Sequence, residues 1–385
     1  MKNNIGEING GIYVHIPFCR NKCLYCDFYS GGLRIANWDV YTGSLLNELQ
    51  SRIEEIDFNP TTLYIGGGTP SLIPSATFHR LIKGIREITN VKQLGEFTIE
   101  VNPEDVEAEK IRKWKDEGVD RVSVGIQTLN DPELKTIGRR HTAKVAMEAL
   151  TQLKQNFDNI SVDIMFGLPG QTLESYKDSL QKIIEFTPAH LSCYSLMLET
   201  GTAMTHLVES GKITLPPENE WIEMYQLTNK LLRDNGYQRY EISNYALPRR
   251  ESRHNSSYWN GKPYVGLGPG AHSYDGKTIR RANPCRLKEY IDYFKSPSER
   301  QDKFYNLEIL GDMERMEEMI MTRLRTTQGL DLEELRTEFG EDKLEKMKST
   351  ISKYLKSGDI SLKDSHLAFT EKGFLISDSI MSELI

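Results

Sequence analysis

The sequence predicts an α/β protein built on a partial (β/α)6 barrel, and three observations support this fold class. Short apolar runs alternate with helical stretches from residue 12 to about residue 196. Glycines and polar residues follow most of these runs. The repeat occurs about six times, fewer than the eight units of a closed barrel. Strands that alternate with helices form parallel sheets, whose chemistry lies at the carboxyl ends of the strands.

Each strand and helix is predicted from its own pattern. Short runs rich in β-branched residues are typical of buried parallel strands. These runs are Ile12–Phe18, Leu63–Ile65, Phe97–Val101, Val122–Ile126, Val162–Phe166 and Leu191–Leu196. Apolar residues at helical spacing predict the helices between them. The helices are Trp38–Ile56 (with Val40, Leu45, Leu49, Ile53 and Ile56 on one face), Phe78–Ile88, Val145–Leu153 and Tyr176–Phe186.

Three regions are predicted along the chain: a barrel over residues 1–235, a connecting region over 236–304 and a C-terminal domain over 305–385. The last region resembles a winged helix, because three helical patterns precede two short extended runs and a final helix. The helical patterns and runs are Met313–Arg325, Leu332–Phe339, the stripe Leu344, Met347, Ile351 and Tyr354, the runs around Ile360 and Leu367, and a helix near Leu375–Leu384.

Charge and hydropathy exclude several classes of protein. The 385 residues carry 48 basic and 55 acidic side chains, a net charge of −7, and residues 301–385 carry 12 basic and 18 acidic ones. Proteins that bind nucleic acid without sequence preference are normally basic, so no nucleic-acid partner is predicted. No apolar run approaches 18 residues, and Met1–Gly11 lacks a signal-peptide core. A cytoplasmic protein without a membrane span is therefore expected.

Five cysteines are present, and three of them are clustered with the spacing C-x3-C-x2-C at Cys19, Cys23 and Cys26. Three thiolates fall one ligand short of a structural zinc site, which leaves His15 or a distant cysteine as the alternative fourth ligand. Iron–sulfur clusters are held by cysteine thiolates, and three of them leave one iron open for a cofactor or substrate. Cys193 and Cys285 are predicted to be inert thiols, with Cys285 the more exposed candidate because it follows Asn283-Pro284.

At these residues the chain resembles the radical SAM (S-adenosylmethionine) superfamily, whose signature is C-x3-C-x2-C in the loop after the first strand. Further segments follow the pattern of the oxygen-independent coproporphyrinogen III oxidase group. They are Tyr13–Phe18, the Gly66–Pro70 loop, Glu100, Gln127, Arg139, Asp163 and Gly167-Leu168-Pro169. The resemblance covers about residues 10–380.

The resemblance implies a [4Fe–4S] cluster on Cys19, Cys23 and Cys26, with SAM on the fourth iron. The residues that it implies for SAM binding are Tyr13, Gly67, Gly68, Thr69, Glu100, Gln127, Arg139 and Asp163. Their chemistry fits, because glycines admit a ligand close to the backbone and an arginine can pair with the SAM carboxylate. Glu100 and Asp163 can accept hydrogen bonds from an amine or from ribose hydroxyls, or they can act as helix caps or loop anchors.

Phe28 marks a departure from the oxidases, which carry a fourth motif cysteine two residues after the third. Only about a dozen residues precede the first strand, whereas the oxidases have a longer N-terminal arm. Both differences match the oxidase-like branch of heme chaperones, the HemW type. This branch implies heme as cargo, an acceptor protein for it and an electron donor for the cluster, and it leaves open whether the chain is an enzyme.

The segment His254-Asn255-Ser256-Ser257-Tyr258-Trp259 fits the H-N-x-x-Y-W pattern of that branch. His254 is the candidate axial ligand of heme iron, and Tyr258 and Trp259 are candidates for stacking on the porphyrin. The alternative is a hydrogen-bonded loop histidine beside core aromatics. Two other functions stay open: a porphyrinogen oxidase that cleaves SAM to abstract hydrogen from a propionate, and a radical SAM methyltransferase.

Overall fold

A computed structural model describes residues 9–52, 58–91, 93–295 and 304–385. The first half of the chain supplies eight strands, most of them followed by a helix. The strands are β1 (Asn9–Ile16), β2 (Phe18–Cys19), β3 (Gly31–Gly32), β4 (Asn59–Gly67), β5 (Glu96–Val101), β6 (Arg121–Gln127), β7 (Asn159–Phe166) and β8 (His190–Ser195). The helices are α1 (Trp38–Arg52), α2 (Ser75–Thr89), α3 (Ala108–Asp116), α4 (Asp131–Thr136), α5 (Ala143–Lys154) and α6 (Leu173–Glu185).

Six of these strands form the predicted partial barrel, in the order β1-β4-β5-β6-β7-β8 with every neighbouring pair parallel. Each coincides with a predicted apolar run. The barrel does not close, since β1 and β8 pair outward with other strands instead of with each other. All six carboxyl ends therefore lie at one edge, beside the cysteine loop that follows β1.

Residues alternate between two environments along each strand. In β1, Ile12, Val14 and Ile16 are buried in the hydrophobic core, while Tyr13 and His15 line a cavity on the opposite face. The same alternation buries Val122, Val124 and Ile126 of β6 in the core. Because successive side chains of a strand point to opposite faces, the polar members of each strand turn toward the barrel interior.

The region after the barrel extends the sheet at both edges. Its elements are α7 (Ala203–Glu209), α8 (Glu218–Asp234), β9 (Gln238–Arg239), β10 (Asn244–Ala246), α9 (Arg253–Trp259), β11 (Tyr264–Leu267), β12 (His272–Tyr274), β13 (Ile279–Ala282), α10 (Leu287–Lys295) and β14 (Asn306–Ile309). The β10 strand pairs antiparallel with β8, and β11 pairs parallel with β1 and begins the run β11-β12-β13-β14. A twelve-stranded sheet results, so strands on both sides of residue 235 share one sheet. The predicted boundaries at 235 and 304 stay predictions.

The C-terminal region has the elements expected of a winged helix. They are α11 (Asp312–Leu324), β15 (Leu330–Asp331), α12 (Leu332–Phe339), α13 (Glu341–Ser357), β16 (Ile360–Lys363), β17 (His366–Phe369) and α14 (Ser377–Leu384). The two-residue strand β15, which the sequence pattern did not indicate, completes a three-stranded antiparallel sheet by pairing with β17.

Two expectations fall partly outside the described residues. Ile53 and Ile56 of the predicted first helix are among them, as are residues 1–8 of the segment expected to lack a signal peptide. Within the described ranges no helix is long and apolar enough to cross a membrane.

Candidate functional site

The three clustered cysteines lie on the loop that follows β1. Cys19 ends β2, and the amide of Cys26 donates to the carbonyl of Cys23 over 3.2 Å, which folds the loop back on itself. Two barrel residues reach the sulfurs: Thr69 Oγ1 lies 3.5 Å from Cys19 Sγ, and Arg139 Nη1 lies 3.6 Å from Cys23 Sγ. Burial raises the pKa of Cys19, and it raises the pKa of Cys26 to about 11.

A cavity of about 420 Å³ opens between this loop and the carboxyl ends of the strands. Of the residues predicted for the cluster and for SAM, all but Tyr13 line it. They are Cys19, Cys23, Cys26, Gly67, Gly68, Thr69, Glu100, Gln127, Arg139 and Asp163. The structure therefore brings together residues separated by up to 144 positions in the sequence. We call this space the cluster-side cavity.

The glycines after β4 leave room that a side chain would fill. Gly67 has φ +110°, a conformation that residues with a Cβ rarely adopt, and a Cβ there would lie 2.5 Å from Nδ1 of His15. At Gly68 a Cβ would lie 3.0 Å from Cys19 Sγ. Glycine at both positions thus lets this backbone pack closely against His15 and the cysteine loop.

Two half-buried carboxyl groups, those of Glu100 and Asp163, line the cluster-side cavity. Glu100 accepts hydrogen bonds from the Tyr64 hydroxyl at 2.7 Å and from the Gly67 amide at 3.0 Å. Asp163 accepts from the hydroxyls of Ser192 and Ser123, the latter at 3.2 Å. Burial raises the pKa of Glu100 to about 7 and that of Asp163 to about 6. Both carboxyl groups therefore change between the protonated and the ionised form near neutral pH.

Arg139 lies beside the cysteine loop with its guanidinium fixed. Its Nη2 donates to the carbonyl of Gly125 at 2.5 Å and to Oδ1 of Asn102 at 2.8 Å. Its Nε has no hydrogen-bond partner in the part of the chain that the structure describes. Asn102 in turn donates to Thr69 Oγ1 over 3.3 Å. A cation is therefore held beside the three cysteines.

Gln127 shows that the backbone is distorted at this site. It has φ +69° at the end of β6, where the pairing with β7 shifts register between Gly125 and Gln127. A non-glycine residue with this conformation stores strain, and bulges of this kind re-aim side chains. Here the distortion keeps the Gln127 side chain on the wall of the cavity.

Several wall residues were missed by the sequence reasoning. They are Tyr64, Asn102, Arg121, Ser123 and Ser192. Strand parity could have found most of them: Ser123 stands two positions before Gly125, and Tyr64 stands two positions before Gly66, so each shares a face with a residue at its strand end.

A larger cavity of about 920 Å³ adjoins the first one. Tyr13, predicted for SAM binding, lies on its wall together with the candidate heme residues His254, Tyr258 and Trp259. The opposite wall is formed by β12, β13 and α11, through residues such as Tyr274 and Met319. Five residues line both cavities: Asp27, Phe28, Tyr64, Glu100 and Asn255. We call the larger space the aromatic cavity.

His254 is buried behind the aromatic cavity and both of its ring nitrogens are hydrogen-bonded. Nδ1 lies 2.7 Å from Thr62 Oγ1, Nε2 lies 2.7 Å from the Tyr258 hydroxyl, and the ring stacks on Tyr64 at 5.1 Å. Burial lowers the pKa of His254 to about 3, so the ring is neutral. The predicted alternative of a hydrogen-bonded histidine thus describes this conformation.

The two remaining cysteines differ from each other. Cys193 is buried, and burial raises the pKa of its thiol, as expected of an inert cysteine. Cys285 is exposed on the wall of the aromatic cavity. Cys285 thus takes the exposed alternative that its position after Asn283-Pro284 left open, with the sulfur at the cavity surface.

Tyr29 connects the cysteine loop to the segment that borders the aromatic cavity. Its carbonyl lies 2.8 Å from Nε2 of His15, and its hydroxyl accepts from the Leu287 amide at 2.7 Å. Nδ1 of His15 lies 3.0 Å from the Tyr13 hydroxyl. Both nitrogens of His15 are therefore engaged, which removes it as the fourth ligand of a zinc site.

The sequence matches two family models, the radical SAM superfamily over residues 13–183 and the HemN C-terminal domain over residues 312–376. It is 35% identical to the heme chaperone HemW of Lactococcus lactis, over 97% of this chain and 96% of that protein. The identity to HemW of Bacillus subtilis is 33%, over 97% and 98% of the two chains.

A vertebrate protein is also similar: the mitochondrial radical S-adenosyl methionine domain-containing protein 1 of Danio rerio, 30% identical over 98% of this chain and 87% of that one. Among solved structures, the coproporphyrinogen III oxidase HemN of Escherichia coli superposes with a TM-score of 0.83, covering 98% of this chain and 90% of that chain. Its sequence identity is 23%, so this likeness supports the fold.

Proposed function

Since the chain belongs to the HemW family of the radical SAM superfamily, we propose that it is a heme chaperone, which binds heme and transfers it to an acceptor protein. Membership of the superfamily implies a [4Fe–4S] cluster and SAM. The observation that supports the proposal is the shared wall of the two cavities: the cavity lined by the three cysteines adjoins a larger cavity lined by aromatic side chains.

The residues of the cluster-side cavity fit both cofactors. Three thiols on one short loop suit a cluster with an open iron, and the backbone of Gly67 and Gly68 on the cavity wall suits a ligand that contacts main-chain groups. We assign the cluster to Cys19, Cys23 and Cys26. We assign SAM to Gly67, Gly68, Thr69, Glu100, Gln127, Arg139 and Asp163 on this cavity and to Tyr13 beside it. When bound, the cluster and SAM supply one-electron chemistry.

Within that assignment each side chain has a distinct task. Glu100 and Asp163, when ionised, accept from the SAM amine and ribose hydroxyls, and the guanidinium of Arg139 pairs with the SAM carboxylate. The strained Gln127 offers both a donor and an acceptor. Tyr13 contacts SAM from the wall of the aromatic cavity, where a hydrogen bond to His15 holds its hydroxyl in place.

The aromatic cavity supplies what a porphyrin requires, which is flat apolar contact. Tyr258 and Trp259 lie on its wall, and the guanidinium of Arg325 packs over the Trp259 ring at 4.6 Å. Phe28, with 61% of its surface exposed, stands in the wall common to both cavities. Ligation of iron by His254 stays a prediction, and it would require the imidazole to release either Thr62 or Tyr258.

The oxidase alternative has less support. Phe28 occupies the place of the fourth motif cysteine, and the likeness to HemN extends to the fold alone. A radical SAM methyltransferase would not account for the aromatic cavity beside the cofactors. An electron donor for the cluster and an acceptor for the heme complete the proposal, and we place the protein in the cytoplasm, where its thiols stay reduced.

One experiment separates chaperone from oxidase. The cluster is reconstituted anaerobically, heme is titrated while the Soret band is followed, and in parallel coproporphyrinogen III is incubated with the protein, SAM and a reductant. Stoichiometric heme binding without protoporphyrinogen supports the proposal. Protoporphyrinogen formed over many turnovers would reject it in favour of the oxidase.

A further inference from the structure

The aromatic cavity holds more than one side chain of the types that bind heme iron. Iron in heme is ligated by histidine, cysteine, methionine or tyrosine. Apart from tyrosines, the candidates on this wall are His15, His254, His272, Cys285 and Met319. They differ in whether the donor atom is free, and this difference decides among the histidines.

Two of the three histidines are engaged on both sides of the ring. His15 is bonded to Tyr13 and to the Tyr29 carbonyl, and His254 is bonded to Thr62 and Tyr258. Both are at least 96% buried. For either to bind iron, a hydrogen bond of 3.0 Å or less must break and the ring must move out of the barrel wall.

His272 has neither restriction. It opens β12 and is exposed on the cavity wall. Across residues 9–52, 58–91, 93–295 and 304–385 its imidazole makes no hydrogen bond and no ion pair. Burial and the charge of Arg280 lower the pKa of His272, while Glu308 opposes them, so the ring is neutral at pH 7 and has a lone pair available.

His272 has a small cross-strand neighbour, and the hairpin that carries it is anchored to α11. Its cross-strand partner is Ala282, whose methyl group leaves space beside the ring. Two residue pairs further along the hairpin, Tyr274 lies opposite Arg280, and Arg280 Nη1 lies 2.6 Å from Oε1 of Glu318 on α11. This ion pair ties β13 to α11 within one wall of the cavity, so the hairpin presents His272 from a held position.

Resting on the heme-binding function proposed above, we infer that His272 is the side chain that ligates heme iron in the aromatic cavity. His254 then acts as a positioning residue: it holds the Tyr258 hydroxyl and so fixes the aromatic wall. The porphyrin lies between the β12–β13 hairpin and the Tyr258–Trp259 wall, beside Phe28 and the cluster-side cavity.

The test uses full-length, cluster-reconstituted protein titrated with hemin, with absorption spectra recorded in the ferric and ferrous states. We expect His272→Ala to shift the Soret maximum and to weaken binding at least tenfold. Added imidazole should restore the wild-type spectrum of this variant, which a merely structural role would not allow. His206→Ala, an exposed histidine on neither cavity, is the matched control and should leave spectrum and affinity unchanged.

Two more variants make the outcomes decisive. Tyr258→Phe removes the hydrogen bond that fixes the aromatic wall and should weaken heme binding while the Soret position stays the same. Cys285→Ser should leave the Soret position unchanged. An unchanged spectrum and affinity for His272→Ala overturns the inference, as does a Soret shift that only Cys285→Ser produces. If wild-type protein itself fails to bind hemin stoichiometrically, the heme-binding function fails instead, so the two failures are distinguishable.

Discussion

The hydroxyl of Tyr64 donates a 2.7 Å hydrogen bond to Oε1 of Glu100, and the ring of the same tyrosine stacks on His254 at 5.1 Å. Through its hydroxyl, Tyr64 therefore contacts the Glu100 carboxylate of the cluster-side cavity. Through its ring, it contacts His254 beside the aromatic cavity. The two cavities are joined through this side chain as well as through their shared wall.

Replacing Tyr64 by phenylalanine should weaken SAM binding and spare heme binding. The hydroxyl stabilises the Glu100 carboxylate, so its loss raises the pKa of Glu100 above about 7 and leaves less of the ionised form. We expect SAM affinity at pH 7 to fall about fivefold, the equivalent of one hydrogen bond. Equilibrium dialysis with SAM measures this. Tyr237→Phe, which removes a buried hydrogen bond to the Pro188 carbonyl, is the control. Equal effects of both variants would contradict the prediction.

SAM binding should strengthen as pH rises from 6 to 8. Burial raises the pKa of Glu100 to about 7, with Asp163 raising it further and Tyr64, the Gly67 amide and Arg121 opposing. The ionised fraction of such a carboxyl group grows about tenfold over these two pH units, and the affinity for the SAM amine should follow it. Glu100→Gln should bind weakly with no such slope. A slope that survives this substitution would assign the titration to another group.

The same pKa shift predicts how the cofactor-free protein responds to pH. The folded pKa of Glu100 lies above its unfolded value, so the folded state holds the proton more tightly. The stabilising contribution is complete below about pH 4 and is lost as pH rises toward 7. Urea unfolding at several pH values measures the free energy of unfolding. In Glu100→Gln this free energy should fall less between about pH 4 and pH 7 than in the wild-type protein. A wild-type slope in the variant would count against the shifted pKa.

Gly67→Ala should destabilise the protein and abolish SAM binding. The left-handed backbone at φ +110° alone costs an alanine about 1–2 kcal/mol, and its Cβ would collide with His15 at 2.5 Å. Gly43→Ala is the matched control, because Gly43 lies within α1 and a Cβ there meets nothing within 4 Å. It should stabilise by about 0.5–1 kcal/mol. Denaturant titration compares the two, and equal stabilities would refute the strain at Gly67.

Single Cys→Ser substitutions at Cys19, Cys23 and Cys26 should each remove the absorbance near roughly 400 nm that reconstitution produces, because the cluster needs all three thiolates. Cys285→Ser should keep it, since Cys285 is exposed away from the cysteine loop, on the aromatic cavity alone. Iron and sulfide analysis of the same samples provides a second measure. Full cluster content in any of the first three variants would reassign the ligands.

The sequence predicted the barrel well because its strands are buried on both faces over much of their length and therefore stand out as short β-branched runs. Strands such as β12 and β15 were missed, since three- and two-residue strands depend on their partners and leave no periodicity of their own. The cluster-side residues were predicted from motif resemblance, and strand parity would have added Ser123.

The environment of His254 lay beyond sequence reasoning for a different reason. Its partner Thr62 is 192 positions away in the sequence. No local pattern shows that both ring nitrogens are engaged, because that depends on which strands the fold makes adjacent. The availability of His272 likewise becomes visible only once the hairpin is placed against α11.

Tyr29 bonds to His15 from the cysteine loop and to the Leu287 amide beyond the aromatic cavity, so one residue contributes to the surroundings of both sites. Thermodynamic linkage has no direction: if assembly of the iron–sulfur centre tightens the hold on the porphyrin, the porphyrin must protect that centre from loss by the same factor. Oxidative destruction of the cluster would then act as a release signal, lowering the affinity for the cargo without any change in the residues that touch it.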